Sequence, residues 1–482
     1  MESIRQPFNG DAALGRKCNV IISRSGDLLS SVYLQLDVPD LSNYSINKQP
    51  TALPDQPVII SARWNSKSIA KIKFLVPTNQ VSSDFVPIVT ETDSGQVVND
   101  VEFSATEFNT FVVSGLDNAK KYTVQIQRTV DSATSDPEEI VALRWTNALG
   151  NAIMKKVSLF IGGTSITESS GEFFDISNEL EMTNEKFDAY CRLIGKYENY
   201  DLFENSSEGG TTLFVPINMS FFKEPSSSLP LISLAFHQVQ LYFDFRGYSE
   251  LIKCDKNIVS LMNTDGRTPE AGFEIGLFST FVYLSQPERK RFLAQDQKLE
   301  YLFHDVQSVD IPLIVNSSNT NLNKKINFVF NNPCTELFWT YTKNEKFNNA
   351  IPHEEYAVNG NDYFDYELDS SRPDVFEYAN LQINGVDRQS RRPGIYYKIM
   401  EPFLRHTRTS KKSIHTFTFS LQPETLQPSG SLNFSRIERS DLLLTLNKKF
   451  LDGNHSGKIT LFAKTMNVLR IENGIAGVLF AS

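Results

Sequence analysis

The chain has 482 residues, a net charge of −10, and an aromatic complement dominated by Phe 35 and Tyr 17 against Trp 3. At about 100–200 residues per domain this length accommodates several domains with a sizeable core. An acidic chain repels a phosphate backbone, which argues against direct contact with nucleic acid. The cysteines Cys18, Cys191, Cys254 and Cys334 form no CxxC pair. That spacing reads as reduced core thiols, with neither a zinc site nor a disulfide framework.

In chain order, the first stretch, MESIRQPFNGDAALGRK, lacks the apolar centre of a signal peptide. Val20-Ile21-Ile22, the turn Arg24-Ser25-Gly26-Asp27 and the alternating Val32–Val38 together give a hairpin-like signal before Pro39. Val157–Ile161 is a strand pattern ending at Gly162-Gly163, a turn that calls for positive φ. Glu172–Met182 and Asn184–Leu193 show helical spacing, the second with Thr183 as cap. Leu229–Phe236 is the longest apolar stretch, far short of the ~20 residues that span a bilayer. His237–Phe245 alternates again, Pro287–Phe292 reads as a short helix with Pro in its first turn, and Lys325–Phe330, Thr416–Leu421, Leu442–Leu446 and Lys458–Ala463 are further strands. Short strands between Gly, Pro, Asn and Ser turns predict an all-β fold of sandwiches or jelly rolls, with a few short helices in the loops.

Residues 55–143 differ in texture, being rich in Val, Thr and Ser. Phe111–Leu116 followed by Tyr122–Gln127 places Leu116 and Tyr122 at the spacing of a fibronectin type III corner, whose Tyr hydroxyl bonds to upstream backbone. The segment resembles that Ig-like sandwich. It departs from the pattern at Asn118, where the corner usually has Pro, and Trp64 and Phe74 compete for the place of the buried Trp. A long, locally folded loop is the alternative.

Chemistry is sparse. The chain contains no GxSxG elbow, HExxH helix or phosphate loop, so no catalytic, cofactor-binding or metal-ligating residue is assigned and no enzyme is expected. His353 adjoins Glu354 and Glu355, but a solvated turn explains it better than a metal site. His237 reads as a hydrogen-bonded sheet residue and Asp244 as a solvent-facing alternate. Asn43, Asn205, Asn218, Asn316, Asn433 and Asn454 begin Asn-x-Ser sequons, of which Asn205, in a polar loop, is the best candidate for glycosylation. The basic runs Arg388–Arg392 and Arg405–Lys412 could face a membrane or an acidic protein, or pair with nearby acids.

Several blocks, in this order, carry a family resemblance: Ile22–Leu29; Trp145–Ile153 with Lys156–Gly163; Gly171–Leu180; Leu229–Val239; Val282–Leu284 with Glu288–Phe292; Asn384–Arg388; Gln427–Arg436; and Asn467–Gly477. They resemble the major capsid protein of nucleocytoplasmic large DNA viruses, the double jelly-roll type. The resemblance implies two tandem jelly rolls, 1–54 with 144–250 and then 251–482, with 55–143 inserted in the first. It implies a homotrimer of pseudo-hexagonal outline that tiles an icosahedral virion shell assembled in host cytoplasm. The implied partners are neighbouring capsomers, minor capsid proteins, an internal membrane on the inner face, and a host-surface ligand for the outward-projecting segment 55–143. A double jelly-roll scaffold or minor capsid protein is the nearest alternative. A secreted carbohydrate-active β-sandwich enzyme is the alternative from another class, and it needs a paired-carboxylate site.

Overall fold

The computed structural model describes residues 1–41, 44–46, 58–66, 69–75, 85–98, 102–107, 110–117, 120–128, 138–139, 143–197, 210–254, 261–263, 272–294, 298–313, 322–343, 362–366, 374–448 and 457–480. Two barrels account for most of the strands. The first is built from β1 (Glu2–Gln6), β2 (Lys17–Ile21), β3 (Leu28–Val38), β4 (Met154–Ile161), β5 (Thr164–Ser169), β6 (Thr211–Pro216), β7 (Val239–Phe245) and β8 (Glu274–Val282). Its two sheets run β1-β8-β3-β6 and β5-β4-β7-β2. The second is built from β9 (Leu299–Leu313), β10 (Asn323–Phe328), β11 (Pro333–Lys343), β12 (Phe376–Ile383), β13 (Val386–Asp387), β14 (His415–Thr418), β15 (Ser440–Leu446) and β16 (Gly457–Glu472). Its sheets run β9-β16-β11-β14 and β10-β15-β12-β13. Counting strands from the start of each barrel, the two orders are the same, and every pairing is antiparallel. Both are jelly rolls.

Two expectations from sequence are corrected by these pairings. Val20–Ile22 and Val32–Val38 do not form a hairpin: β2 pairs with β7, β3 pairs with β6 and β8, and the Arg24–Asp27 turn crosses from one sheet to the other. The two strands have the same alternation because both face one core from opposite sides. The boundary expected at 250/251 also moves. Glu274–Val282 closes the first roll, inserted between β1 and β3. Composition does not change across 250, so only strand pairing could place the break.

The turns follow residue chemistry. The β4–β5 turn has Gly162 at φ 60° and Gly163 at 84°; the matching β12–β13 turn has Asn384 at 50° and Gly385 at 79°. Such left-handed pairs suit two-residue hairpins between right-twisted strands. Alternation holds in β3, where Val32, Leu34, Leu36 and Val38 are buried and the residues between are half-buried. It fails in β11 and through most of β16, where both faces are buried. In β11, Leu337, Trp339 and Tyr341 join the core of the second roll, while Phe338 on the opposite face joins a core shared with the first roll.

The strands between Val58 and Glu139 form two further sheets. One joins Val58–Ser66, Ile69–Leu75, Thr110–Ser114 and Glu102–Glu107; the other joins Phe85–Glu91, Tyr122–Arg128 and Glu138–Glu139. Their buried residues, among them Ile72, Phe74, Phe111, Val113, Val124 and Ile126, make a core separate from those of the rolls. Phe74 stacks on Phe111 with centroids 5.3 Å apart. The Asp117 amide donates to the Tyr122 hydroxyl at 3.3 Å. The Trp64 side chain lies outside the described residues. The segment leaves and rejoins the first roll between β3 and β4, where Leu143–Trp145 pairs with Ile252–Cys254 and Tyr44–Ile46 pairs with Leu261–Asn263.

Candidate functional site

The connection from β5 to β6 carries two helices, α1 (Gly171–Glu181) and α2 (Asn184–Ile194). Ser170 caps α1 by accepting the Phe173 amide at 3.2 Å. Gly171 is required by close approach, since a Cβ there would meet the Asn151 carbonyl oxygen at 1.9 Å. Instead of lying on the surface as a loop helix, α1 is buried on several sides and forms the seam between the rolls. Phe173 sits against Phe338 of β11 and Phe462 of β16, at 5.9 and 5.7 Å between centroids.

The polar positions of α1 carry the rest of the seam. Asp175 is contacted by Lys196 at 3.1 Å and by Lys412, from the second roll, at 2.6 Å. Glu179 is held by Lys196 at 2.5 Å and by the Arg408 guanidinium, whose Nε also donates to the Glu179 carbonyl at 2.7 Å. The Arg408 plane stacks over the Phe187 ring of α2. Glu181 lies between Lys223 of the first roll and Lys464 of β16, the latter at 2.8 Å. Burial pushes the Asp175 and Glu181 carboxyls up, but the paired lysines outweigh it and hold both below the usual carboxylate range. These acids stay charged, and their cations come from both rolls.

Beside this seam, the His406 ring has Nδ1 3.0 Å from Glu424 and Nε2 2.5 Å from Glu336, with both ring nitrogens buried. Burial disfavours the imidazolium, but Glu336 and Glu424 outweigh it and hold the pKa up at about 10. Asp305 of β9 has the opposite balance: burial dominates and pushes its carboxyl up to about 6. A cavity of about 40 Å³ lies among Phe173, Glu181, Lys223, His304, Glu424 and Lys464. Its size is that of a water site.

Of the two readings of the Arg405–Lys412 run, a face for a membrane or an acidic protein or a loop pairing with nearby acids, Arg408 and Lys412 follow the second, pairing with Glu179 and Asp175 of α1. In the other run, Arg391 stacks on Tyr378 and Arg392 on Tyr396. His237 lies just before β7 and accepts the Ala476 amide at 3.2 Å, pinning the C-terminal hairpin to the first roll. Asp244 is half-buried and pairs with Lys17 at 3.3 Å. Cys18 and Cys334 are buried and Cys191 is half-buried, all three as free thiols. Asn205 and His353, with Asn43, Asn316 and Asn454, lie outside the described residues or their described side chains. Among the described residues no group of His, Cys, Asp or Glu is arranged to hold a metal ion. Sequence reasoning missed Asp175, Glu179 and Glu181. Their signal was present: four acids, Glu172 among them, on a helix whose apolar residues already claim more than one face.

Twin rolls of matching strand order, joined through an interior seam, define a double jelly-roll protein. Residues 288–477 match the family model described as the large eukaryotic DNA virus major capsid protein, and residues 104–285 match that of the major capsid protein N-terminus. The chain belongs to this family of major capsid proteins of large eukaryotic DNA viruses. It is 24% identical to the major capsid protein of Phaeocystis pouchetii virus, covering 100% of this chain and 93% of the relative. Against that of Paramecium bursaria Chlorella virus 1, identity is 26%, over 75% of this chain and 88% of the relative. In fold it is similar to the solved PBCV-1 virus capsid, with TM-score 0.65, 20% identity, and coverage of 100% and 96%. The Faustovirus major capsid protein gives TM-score 0.61 at 12% identity, covering 98% of this chain and 90% of that one. The two family models abut between 285 and 288, beside the end of β8 and at the start of α3 (Gln286–Phe292).

Proposed function

We propose that three copies of this chain close into a pseudo-hexagonal capsomer and that such capsomers tile an icosahedral virion shell. One observation carries the reading: a single chain holds two rolls of the same strand order side by side, so a threefold ring presents six similar wedges. A heterologous contact that closes on itself gives a finite ring. Modest lateral contacts between rings are then multiplied over the lattice. Light scattering on the purified chain tests the ring, with a trimer expected. Electron microscopy of assembled particles separates a shell from a scaffold.

The same reading places residues 55–143 as a fibronectin-like sandwich on the outer face, offered to a host-surface component or a decorating protein. A separate core, the Tyr122 corner bond and the short paired strands at its base support this. Deleting 55–143 should leave capsomers intact and abolish attachment to host cells; attachment at the normal level would remove the binding role. Minor capsid proteins, and an internal membrane where one exists, belong to the inner face. Assembly in the cytoplasm fits the unpaired thiols.

A further inference from the structure

The second roll has its own counterpart of α1. The connection from β13 to β14 matches that from β5 to β6, and it carries α4, a π-turn over Tyr396–Met400 continued as α-helix over Glu401–Arg405. Where α1 is buried, α4 presents an apolar face to solvent: Ile395 is 60% exposed, Ile399 47%, Met400 45%, Phe403 71% and Leu404 52%. Large apolar side chains clustered this way mark a contact surface.

The first roll has, in turn, a counterpart of the surface that receives α1. Strands β3 and β11 are both 11 residues long. Phe338, sixth in β11, faces Phe462 of β16, and this pair seats Phe173. Tyr33, sixth in β3, faces Phe278 of β8 in the same way, stacked at 5.3 Å, with Phe214 of β6 edge-on at 6.3 Å. Among the described residues no helix covers this aromatic pair as α1 covers its equivalent, and Phe214 is 40% exposed. Asp37 and Glu274, paired across β3 and β8, share the alternation of Tyr33 and Phe278 on this face, with Arg5 opposite Phe278, while Arg391 and Arg392 precede α4 and Arg405 ends it. The charge is complementary on balance, in the same sense in which acidic α1 meets the basic positions of the second roll reversed in sign.

We infer that α4 of one copy docks on the Tyr33–Phe214–Phe278 face of a second copy, repeating between chains the contact that α1 makes within the chain. The inference rests on the capsomer reading and names its contact. Roll one holds roll two through α1, and roll two holds the next chain's roll one through α4. Three such steps close the ring with one contact geometry used six times, three inside chains and three between them.

The test uses the full-length chain with a photoreactive residue at position 403. The expected result is an interchain crosslink into Leu28–Val38, Thr211–Pro216 or Glu274–Val282. In parallel, Phe403→Asp and Phe214→Asp are each expected to convert a trimer to monomer in light scattering while leaving thermal unfolding of the monomer fold in place, because both side chains are exposed. A trimer that survives both substitutions, or crosslinks that map elsewhere, overturns the docking and leaves the capsomer reading standing. A wild-type chain that stays monomeric and forms no particles overturns both.

Discussion

The seam between the rolls and the core of residues 58–128 use opposite means of holding sheets together. The inserted segment has an apolar core of its own, reached from the host through short paired strands. The seam has no core of its own. Phe303, Phe338 and Phe462 of the second roll bury in the same cluster as Leu34 and Phe173 of the first, and charged groups from both rolls interlock around α1. An apolar core with its own boundary can be removed as a unit. A shared one with buried charges cannot, because removing either side strands uncompensated ions.

The sharpest way to break this contrast is Glu181→Ala. Lys464 would keep only the Pro423 carbonyl, at 2.9 Å, and a buried cation left without its counter-ion costs about 3–5 kcal/mol. Urea unfolding should show both rolls destabilised together while a separate transition for residues 58–128 stays in place. If only one roll shifts, the seam is not shared.

The pH profile should follow the seam groups. His406 has a folded pKa of about 10, above the ordinary ~6.5. Its contribution is therefore complete below about pH 6.5 and is lost as pH rises through about 10. Asp175 and Glu181 are depressed, so their contribution is present above about pH 4 and lost as pH falls further. Stability of the rolls should be greatest between these limits. His406→Gln should flatten the alkaline limb, measured by thermal unfolding across pH 5–10.

Asp305→Asn should work in the opposite direction. Its carboxyl is raised to about 6, so ionising it at neutral pH costs stability that the amide does not lose. A gain of about 1–2 kcal/mol is expected at pH 7, shrinking to nothing below about pH 4. A gain independent of pH would assign the effect to packing. The smallest effect belongs to Tyr122→Phe, which removes the bond from the Asp117 amide. About 1 kcal/mol should be lost, confined to the transition of the inserted segment in calorimetry.

Much of the architecture was readable from local chemistry. Alternation in Val32–Val38 and His237–Phe245, the Gly162-Gly163 turn and the Pro287 helix start all depend on neighbours within a few residues, and the structure keeps them; Thr183 stands before its helix as expected but makes no side-chain cap bond, whereas Ser170, which the sequence reading passed over, does. Reading fell short where a strand is buried on both faces: β11 was not found, and β16 was found only over Lys458–Ala463. In β11 and β16 the period-2 signal vanishes because a second layer, the other roll, covers the face that would otherwise meet water.

The sequence alone determined the class of the molecule: many short strands, an acidic surface without catalytic motifs, and an ordered series of family blocks. Tertiary structure decided which strands share a sheet, where the first roll ends, and that α1 is the joint rather than a loop ornament. Strand identity is set by period and turn chemistry, which act over a few residues. Pairing and seam burial join residues such as Glu179 and Arg408, 229 apart in the chain, and no local pattern specifies a partner at that distance.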